Sequence, residues 1–488
     1  MDSRSAARVK CRSSATTTNC SSSRREKSIS SIILMVPQLV LDIVRHRGFH
    51  YGVKHDNTGS IASSTSIPPG PREPSTHPVA TGGPLRGLRV IELATIIMGP
   101  YAGQQFGDLG ADVIKIEAPG GDPTRQFEPK RHPGMGGPTL NLNRNKRSVT
   151  LDLKDASDRD SLFALLETAD AFITNVRPGA LERLSLGWAD VAAVNPRLVY
   201  ATAQGFRSDS AMRDNAAYDD IIQAATGLVW LNEQVSGKPH YIPSVVADKV
   251  CGLMMVQSVL AALHYRDRTG RGQHVEIPMA DTMIAFNLVE HLAGATLDPS
   301  RESDYGYRRV LSRERKACRT SDGWMCILPY NDANWRDFFE FAGDPEAATD
   351  PRFTTMAGRI ANSDALYARM RSLTAQFSTA EWQRLCDDAS IPAHPVYSLA
   401  ESATSRYAQD GGLLTIAEHP TEGPYQLIGH PVRYSETPAQ LHRHCPAPGQ
   451  HTESVFDDRP SQRSPGMTTV SRTPTLIRHI TVNGDALS

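Results

Sequence analysis

From Leu85 onward, short apolar runs alternate with helix-length amphipathic stretches, the pattern of strands and crossover helices in a parallel α/β sheet. LRVIEL (Leu88 to Leu93), DVIKIE (Asp112 to Glu117), SVTLD (Ser148 to Asp152), AFITN (Ala171 to Asn175) and RLVYAT (Arg197 to Thr202) read as strands. Between the third and fourth, Asp155 is placed to cap a helix with Leu162, Leu165 and Leu166 on one face. A long helix is predicted from Asp248 to Tyr265, with Leu253, Val256, Leu260 and Leu263 as its core face and Thr269-Gly270 as its stop. After Asp281 the pattern turns irregular. GWMCILP (Gly323 to Pro329) and the helical stretch Trp335 to Phe341 then predict a smaller α+β unit.

The expected organisation is a disordered extension over residues 1–84, a large α/β unit over 85–285 and a small α+β unit over 300–400. A C-terminal return to the large unit over 401–457 and a loose tail over 458–488 complete it. The extension is rich in Ser, Thr, Arg, Gly and Pro and has too little apolar surface to offset the entropy of ordering. Its first thirty residues carry seven Arg or Lys against two acids, which suits a mitochondrial presequence as well as a plain tail. Cytoplasm and, as the alternative, the mitochondrial matrix are therefore both expected compartments. Ile32 to Val44 is interrupted by Pro37, Gln38 and Asp42, so no transmembrane helix is expected there.

Composition narrows the function classes. With 488 residues and a formal charge of −1, the chain has no global basic field to hold nucleic acid or an anionic membrane. Seven cysteines without C-x-x-C spacing favour a reducing compartment. The phosphate-loop, zinc-protease, nucleophile-elbow and dinucleotide fingerprints are missing. His442, His444, Cys445 and His451 are good ligand types, but their spacing fits no standard zinc pattern and Pro446 and Pro448 interrupt it. No metal is expected.

Three segments carry the candidate chemistry. Gly99-Pro100-Tyr101-Ala102 followed by Gly107 to Glu117 forms a β-α-β unit, which a dehydrogenase would also show and which helix-on-sheet packing alone explains. Asn145-Lys146-Arg147-Ser148 with Leu151 to Lys154, then Asn175 to Gly179 and Arg183, would line the carboxyl edge of a parallel sheet, or else form a solvated basic edge. The third set is Tyr218-Asp219, Gln223-Ala224 and Gly227, then Pro243 to Gly252 (PSVVADKVCG) and Arg266 to Gln273 (RDRTGRGQ). Together with Thr320-x-Asp322-Gly323, His430-Pro431-Val432, Thr437-Pro438 and Pro448 to Thr452, these ordered motifs strongly resemble the family III CoA-transferases, also called CaiB/BaiF proteins. The resemblance runs from about Leu85 to Val455.

That resemblance implies a doubly wound open parallel sheet (Rossmann-like) with a smaller α+β domain, in an interlocked homodimer. It implies a CoA-transferase that uses CoA thioesters as substrates, with no permanently bound cofactor. Asp248 matches the family nucleophile, which attacks the thioester to give an aspartyl anhydride and then an enzyme-CoA thioester. Leu151, Lys154, Asn175 and Arg183 match positions lining the CoA site; Ile97, Met98 and Tyr218 match the acyl pocket. At a helix N-terminus the macrodipole would favour ionised Asp248, although Asp is also a common cap.

Related 2-methylacyl-CoA racemases, the alternative of the same fold, carry a His where this chain has Tyr218, and a phenol is a poor proton shuttle at neutral pH. Retention of Asp248 also weighs against a non-catalytic CoA-binding protein. The formyl-CoA enzymes have a glutamine where Ile97 stands, and their small-domain glycine loop is replaced here by Tyr305 to Arg319 (YGYRRVLSRERKACR). Those arginines either bind the distal carboxylate of a dicarboxylic acid or are surface charge.

Overall fold

The structure is a computed structural model that describes residues 82–300 and 305–457. The tail over 458–488 and the extension, apart from 82–84, lie outside the described residues. Six strands form the central sheet: β1 (Arg89–Leu93), β2 (Asp112–Glu117), β3 (Lys146–Thr150), β4 (Ala171–Thr174), β5 (Val199–Gln204) and β6 (Gln273–Pro278). Their order is β3-β2-β1-β4-β5-β6 and every neighbouring pair is parallel. The doubly wound expectation holds, with β6 as an edge strand that the apolar runs did not reveal because most of it is only half-buried.

Successive side chains alternate between two cores, as the strand period requires. Val90, Ile173, Val199 and Ala201 face one side, packed against helices Met98–Asp108, Val246–Thr269 and Met279–His291. Ile91, Ile114, Phe172 and Tyr200 face the other, under helix Ala156–Leu166, whose Asp155 caps it as expected and whose Leu162, Leu165 and Leu166 are buried.

The first face also carries charge. Glu92, Lys115, Glu117, Lys146 and Ser148 alternate with the apolar residues of β1 to β3 and lie buried beneath helix Met98–Asp108. Lys115 bridges Glu92 and Asp122 at 2.9 Å each, and Lys146 bonds Glu92 at 2.8 Å. Arg125 pairs with Glu117 at 2.6 Å. The helix comes down onto this floor because Gly103 has no side chain there: a Cβ would stand 1.8 Å from Glu92 Oε2.

Helix Val246–Thr269 corrects part of one expectation: Leu263 is buried and Val256 and Leu260 pack on the core, but Leu253 is 49% exposed, and the rest of the inner face is Ala247, Cys251, Gly252, Met255, Val259 and Ala262. Small residues win the inner face because the helix lies close to helix Met98–Asp108; a Cβ on Gly252 would reach 2.8 Å from the Met98 carbonyl oxygen. By length and composition this helix could cross a membrane, yet its inner face belongs to the core of the sheet.

A second core lies around Trp335, Phe338, Phe339 and Trp382, beside the antiparallel strands β7 (Cys318–Arg319), β8 (Trp324–Ile327) and β9 (Ala393–Pro395). The chain then returns to the large sheet. Asn145 N–H donates to Arg443 O at 2.8 Å, His451 N–H to Ser148 O at 2.9 Å, and Val455 enters the second of the sheet's two cores.

Gly103→Ala is expected to lower stability by roughly 3 kcal/mol, because Glu92 is pinned by two lysines and cannot yield to the new methyl. Gly120→Ala, where nothing lies within 4 Å, is the control and should be neutral or slightly stabilising. Urea unfolding of the two variants and the wild type measures the difference.

Candidate active site

In an open parallel sheet, ligands bind beyond the carboxyl ends of the strands where the strand order reverses. Here that point lies between β1 and β4. Asn175, just after β4, joins the two loops: its Oδ1 accepts from Thr95 N–H at 3.0 Å and its Nδ2 donates to Thr95 O at 2.8 Å. Both ends of the Asn175 amide are thereby engaged with the backbone. Leu151, directly after β3, is buried in the core, while Lys154 and Arg183 are exposed. Leu151, Lys154 and Asn175 thus follow β3 or β4 closely, while Arg183 ends helix Pro178–Arg183 beyond β4.

The loop after β1 supplies Ile97, half-buried, and Met98, 3% exposed. Just before them, Ile96 has φ 69°, a left-handed backbone that a β-branched residue adopts only under strain of order 1–3 kcal/mol.

Asp248 reaches the same edge by topology. Helix Val246–Thr269 feeds β6 through the tight turn Gly270–Gly272, so its C-terminus lies at the amino edge of the sheet and its N-terminus at the carboxyl edge. Gly252 touches Met98, and Asp248 stands one turn nearer the helix start. It is not the cap; Val245 is.

The Asp248 side chain is 8% exposed, and no described residue donates a hydrogen bond to its carboxylate. Its backbone N–H donates to Asp219 Oδ1 at 3.0 Å. Burial first, and then the neighbouring Asp219 carboxylate, push the Asp248 pKa up from 3.8 to about 7. Desolvation and like charge thus act on Asp248 against the helix macrodipole. Asp219 is itself buried, and its Oδ2 accepts from Gln223 Nε2 at 2.6 Å one helical turn on. Gln223 Oε1 accepts from Ile242 N–H at 2.9 Å, which ties down the segment leading into Asp248. The sequence motif contained Asp219 and Gln223, but their roles went unread; their i, i+4 spacing on a short helix was the available signal.

Tyr218, by contrast, is 67% exposed. The arginine run after Tyr305 is spread rather than focused. Arg309 Nε donates to the Tyr367 hydroxyl at 3.2 Å, Arg313 Nε to Gln234 O at 3.1 Å, and Arg319 lies over the Trp324 ring. None of these contacts reaches Asp248. A cavity of about 100 Å³ lined by Tyr307, Arg309, Tyr330, Trp335 and Tyr367 also shares no residue with the Asp248 site.

The four candidate zinc ligands part company. His444 meets Tyr425 and His419, fully buried Cys445 lies beside Arg125, His451 bonds Ser148 N–H, and the backbone N–H of His442 bonds Asn145. No group of three or more His, Cys, Asp or Glu able to hold a metal is found among the described residues.

Because folded Asp248 holds its proton up to about pH 7 and the unfolded chain releases it near pH 3.8, this group's contribution to stability is fully present below pH 4 and is lost as pH rises to 7. Asp248→Asn should match the wild type near pH 4 and exceed it by up to roughly 4 kcal/mol at pH 8. Urea midpoints at the two pH values decide it.

Known proteins resemble this chain in sequence and in fold. The profile of CoA-transferase family III matches residues 85–452. An acetyl-CoA:oxalate CoA-transferase from Acetobacter aceti is 32% identical over 74% of this chain and 91% of that protein. A succinyl-CoA:glutarate CoA-transferase from Mus musculus is 29% identical over 77% of this chain and 86% of that protein. The crystal structure of a CaiB/BaiF family protein from Brucella suis superposes with a TM-score of 0.67, at 29% identity, over 78% of this chain and all of that one. With three quarters of its length matched in sequence and fold, this chain belongs to CoA-transferase family III and is an acyl-CoA:carboxylate CoA-transferase.

Proposed function

We propose that Asp248 is the nucleophile that moves CoA from an acyl-CoA to a carboxylic acid. Its ionised carboxylate attacks the thioester carbonyl, and expulsion of CoA thiolate leaves an aspartyl mixed anhydride. The thiolate attacks the aspartyl carbonyl and releases the donor acid, giving an Asp248-CoA thioester. The acceptor carboxylate displaces CoA thiolate to form a second anhydride, and the thiolate then attacks the acceptor's acyl carbon. New acyl-CoA leaves and the Asp248 carboxylate returns. The observation that carries this reading is a buried carboxyl at the switch edge, close to neutral pKa and without a hydrogen-bond donor among the described residues. A carboxylate so poorly solvated is a stronger nucleophile than one in water, and half of it is ionised near pH 7.

The acceptor we propose is a dicarboxylic acid, since the relatives described above are named for oxalate and glutarate. Lys154 and Arg183 are the proposed partners of CoA phosphates, and Ile97 and Met98 border the acyl group. The racemase alternative lacks support: Tyr218 is exposed and would have to act as a base with a phenol. The proposed assembly is a homodimer. Leu253, Phe286, Val289 and Leu297, between 49% and 90% exposed, would be covered by a second copy.

Intact and peptide mass spectrometry after incubation with acetyl-CoA or succinyl-CoA and hydroxylamine is expected to find Asp248 converted to the hydroxamate, and Asp248→Ala to remain unmodified. Turnover with oxalate, glutarate and acetate as acceptors should favour the dicarboxylates. Unmodified wild-type Asp248 with proton exchange at C2 of a 2-methylacyl-CoA would favour the racemase. The kcat/KM profile should rise tenfold per pH unit below about 7 and level off above it, as Asp248 ionises. In Asp219→Asn the like charge is gone, so the inflection should move to lower pH.

A further inference from the structure

The most strained described residue beside the site is Ile96, and each backbone group around it is held from beneath. Asp122 Oδ1 accepts from Ile96 N–H at 3.2 Å. The same oxygen accepts from Thr124 N–H and Thr124 Oγ1–H at 2.9 Å each, which fixes the carboxylate's direction. Its other oxygen meets Lys115 Nζ at 2.9 Å, and Lys115 also donates to Ala94 O at 2.7 Å. Lys146 donates to Pro100 O at 2.8 Å on the far side of the turn. Asp122 is 1% exposed and Lys115 is 1% exposed, so neither interaction is screened by water.

The strain has a destination. From Ile96 the chain runs through Ile97, whose carbonyl accepts from Tyr101 N–H at 2.7 Å, to Met98, whose carbonyl lies against Gly252 of the Asp248 helix. Rotating residue 96 back to an ordinary φ would swing this turn away from both the sheet and that helix.

We propose that Asp122 is a positioning residue, which holds Ile96 left-handed and so sets Ile97 and Met98 beside Asp248. This rests on the proposed role of Asp248, and it adds a buried group that does not itself touch substrate. Glycine adopts a left-handed backbone without steric cost, so at position 96 it would not need the clamp. A structural ion pair alone gives no reason for residues 96 and 122 to be coupled in this direction.

The test is a double-mutant cycle of Asp122→Ala, Ile96→Gly and both together, with Asp122→Asn replacing Asp122→Ala if the latter does not fold. Acetyl-CoA with oxalate and succinyl-CoA with glutarate are the probes, and kcat and KM are read separately. Asp122→Ala is expected to lower kcat at least tenfold with KM for the acyl-CoA within threefold, and Ile96→Gly added to it should restore kcat at least threefold. Amide exchange of the 94–103 peptide should quicken in Asp122→Ala and slow again in the double variant. Additive effects, or an unchanged kcat and exchange rate in Asp122→Ala, overturn the proposal. A wild type that turns over neither probe pair and is not labelled at Asp248 overturns the proposed function instead, and the exchange cycle still decides whether Asp122 holds Ile96.

Discussion

Six buried charges are the constraint on which the backbone after β1 depends. Glu92, Glu117 and Asp122 face Lys115, Lys146 and Arg125 with almost no exposure to water. Burying ions costs several kcal/mol apiece, and only close opposite charge and further hydrogen bonds offset it. The numbers of each sign match, and each charge lies within 2.9 Å of an opposite one. The arrangement is not uniform. Lys115 sits between two carboxylates and, despite its burial, has its pKa raised, whereas burial and the neighbouring Lys115 bring Lys146 down to about 8. Such a cluster is a poor source of stability and a strong source of register. A displaced helix, turn or strand would leave an ion unpaired in the interior, and that penalty falls on every alternative packing.

What the cluster holds is the approach to the switch point. Through Ala94, Ile96 and Pro100 it fixes the backbone after β1, and through Arg125 it reaches Pro446 O at 3.1 Å, where the returning C-terminal segment closes the far side. The Asp248 helix then packs on this fixed element through Gly252. A carboxyl carried on a helix with small residues on its inner face is placed more tightly than one on a loop, because backbone rather than rotatable side chain makes the contact.

Much of the fold was legible because it follows from local patterns. Parallel strands with both faces covered read as short apolar runs, and Asp155 and Gly270 mark helix ends by rules that involve only neighbours. The edge strand β6 escaped because half-exposed strands lack that pattern. The face of helix Val246–Thr269 was read in part: Leu263, Val256 and Leu260 do pack on the core, while hydrophobicity wrongly added Leu253 and gave no sign of Gly252, where close approach to another helix matters. Within the site, Asp248, Leu151, Lys154, Asn175 and Arg183 were singled out by family likeness, and the strand pattern placed Leu151 and Asn175 directly after β3 and β4. The buried charges could not be found this way. Lys115 in DVIKIE looks like a solvated residue until Glu92, 23 positions away, is brought beside it. Likewise Ser148 meets Glu117 across 31 positions.

The two neighbouring aspartates show how burial and like charge oppose a local rule. A carboxyl in the first turn of a helix should be favoured as an anion by about 0.3–1 kcal/mol at an exposed end. Desolvation in a site this buried acts in the opposite sense and on a larger scale, and Asp219 adds a second negative charge held in place by Gln223. Asp219 also takes the Asp248 N–H, a donor of the helix end that could otherwise stabilise the anion. The same residue therefore fixes the backbone of Asp248 and withholds stabilisation from its charge. For the anhydride chemistry proposed for Asp248, this is a useful combination: the group is held still while its negative charge is poorly satisfied.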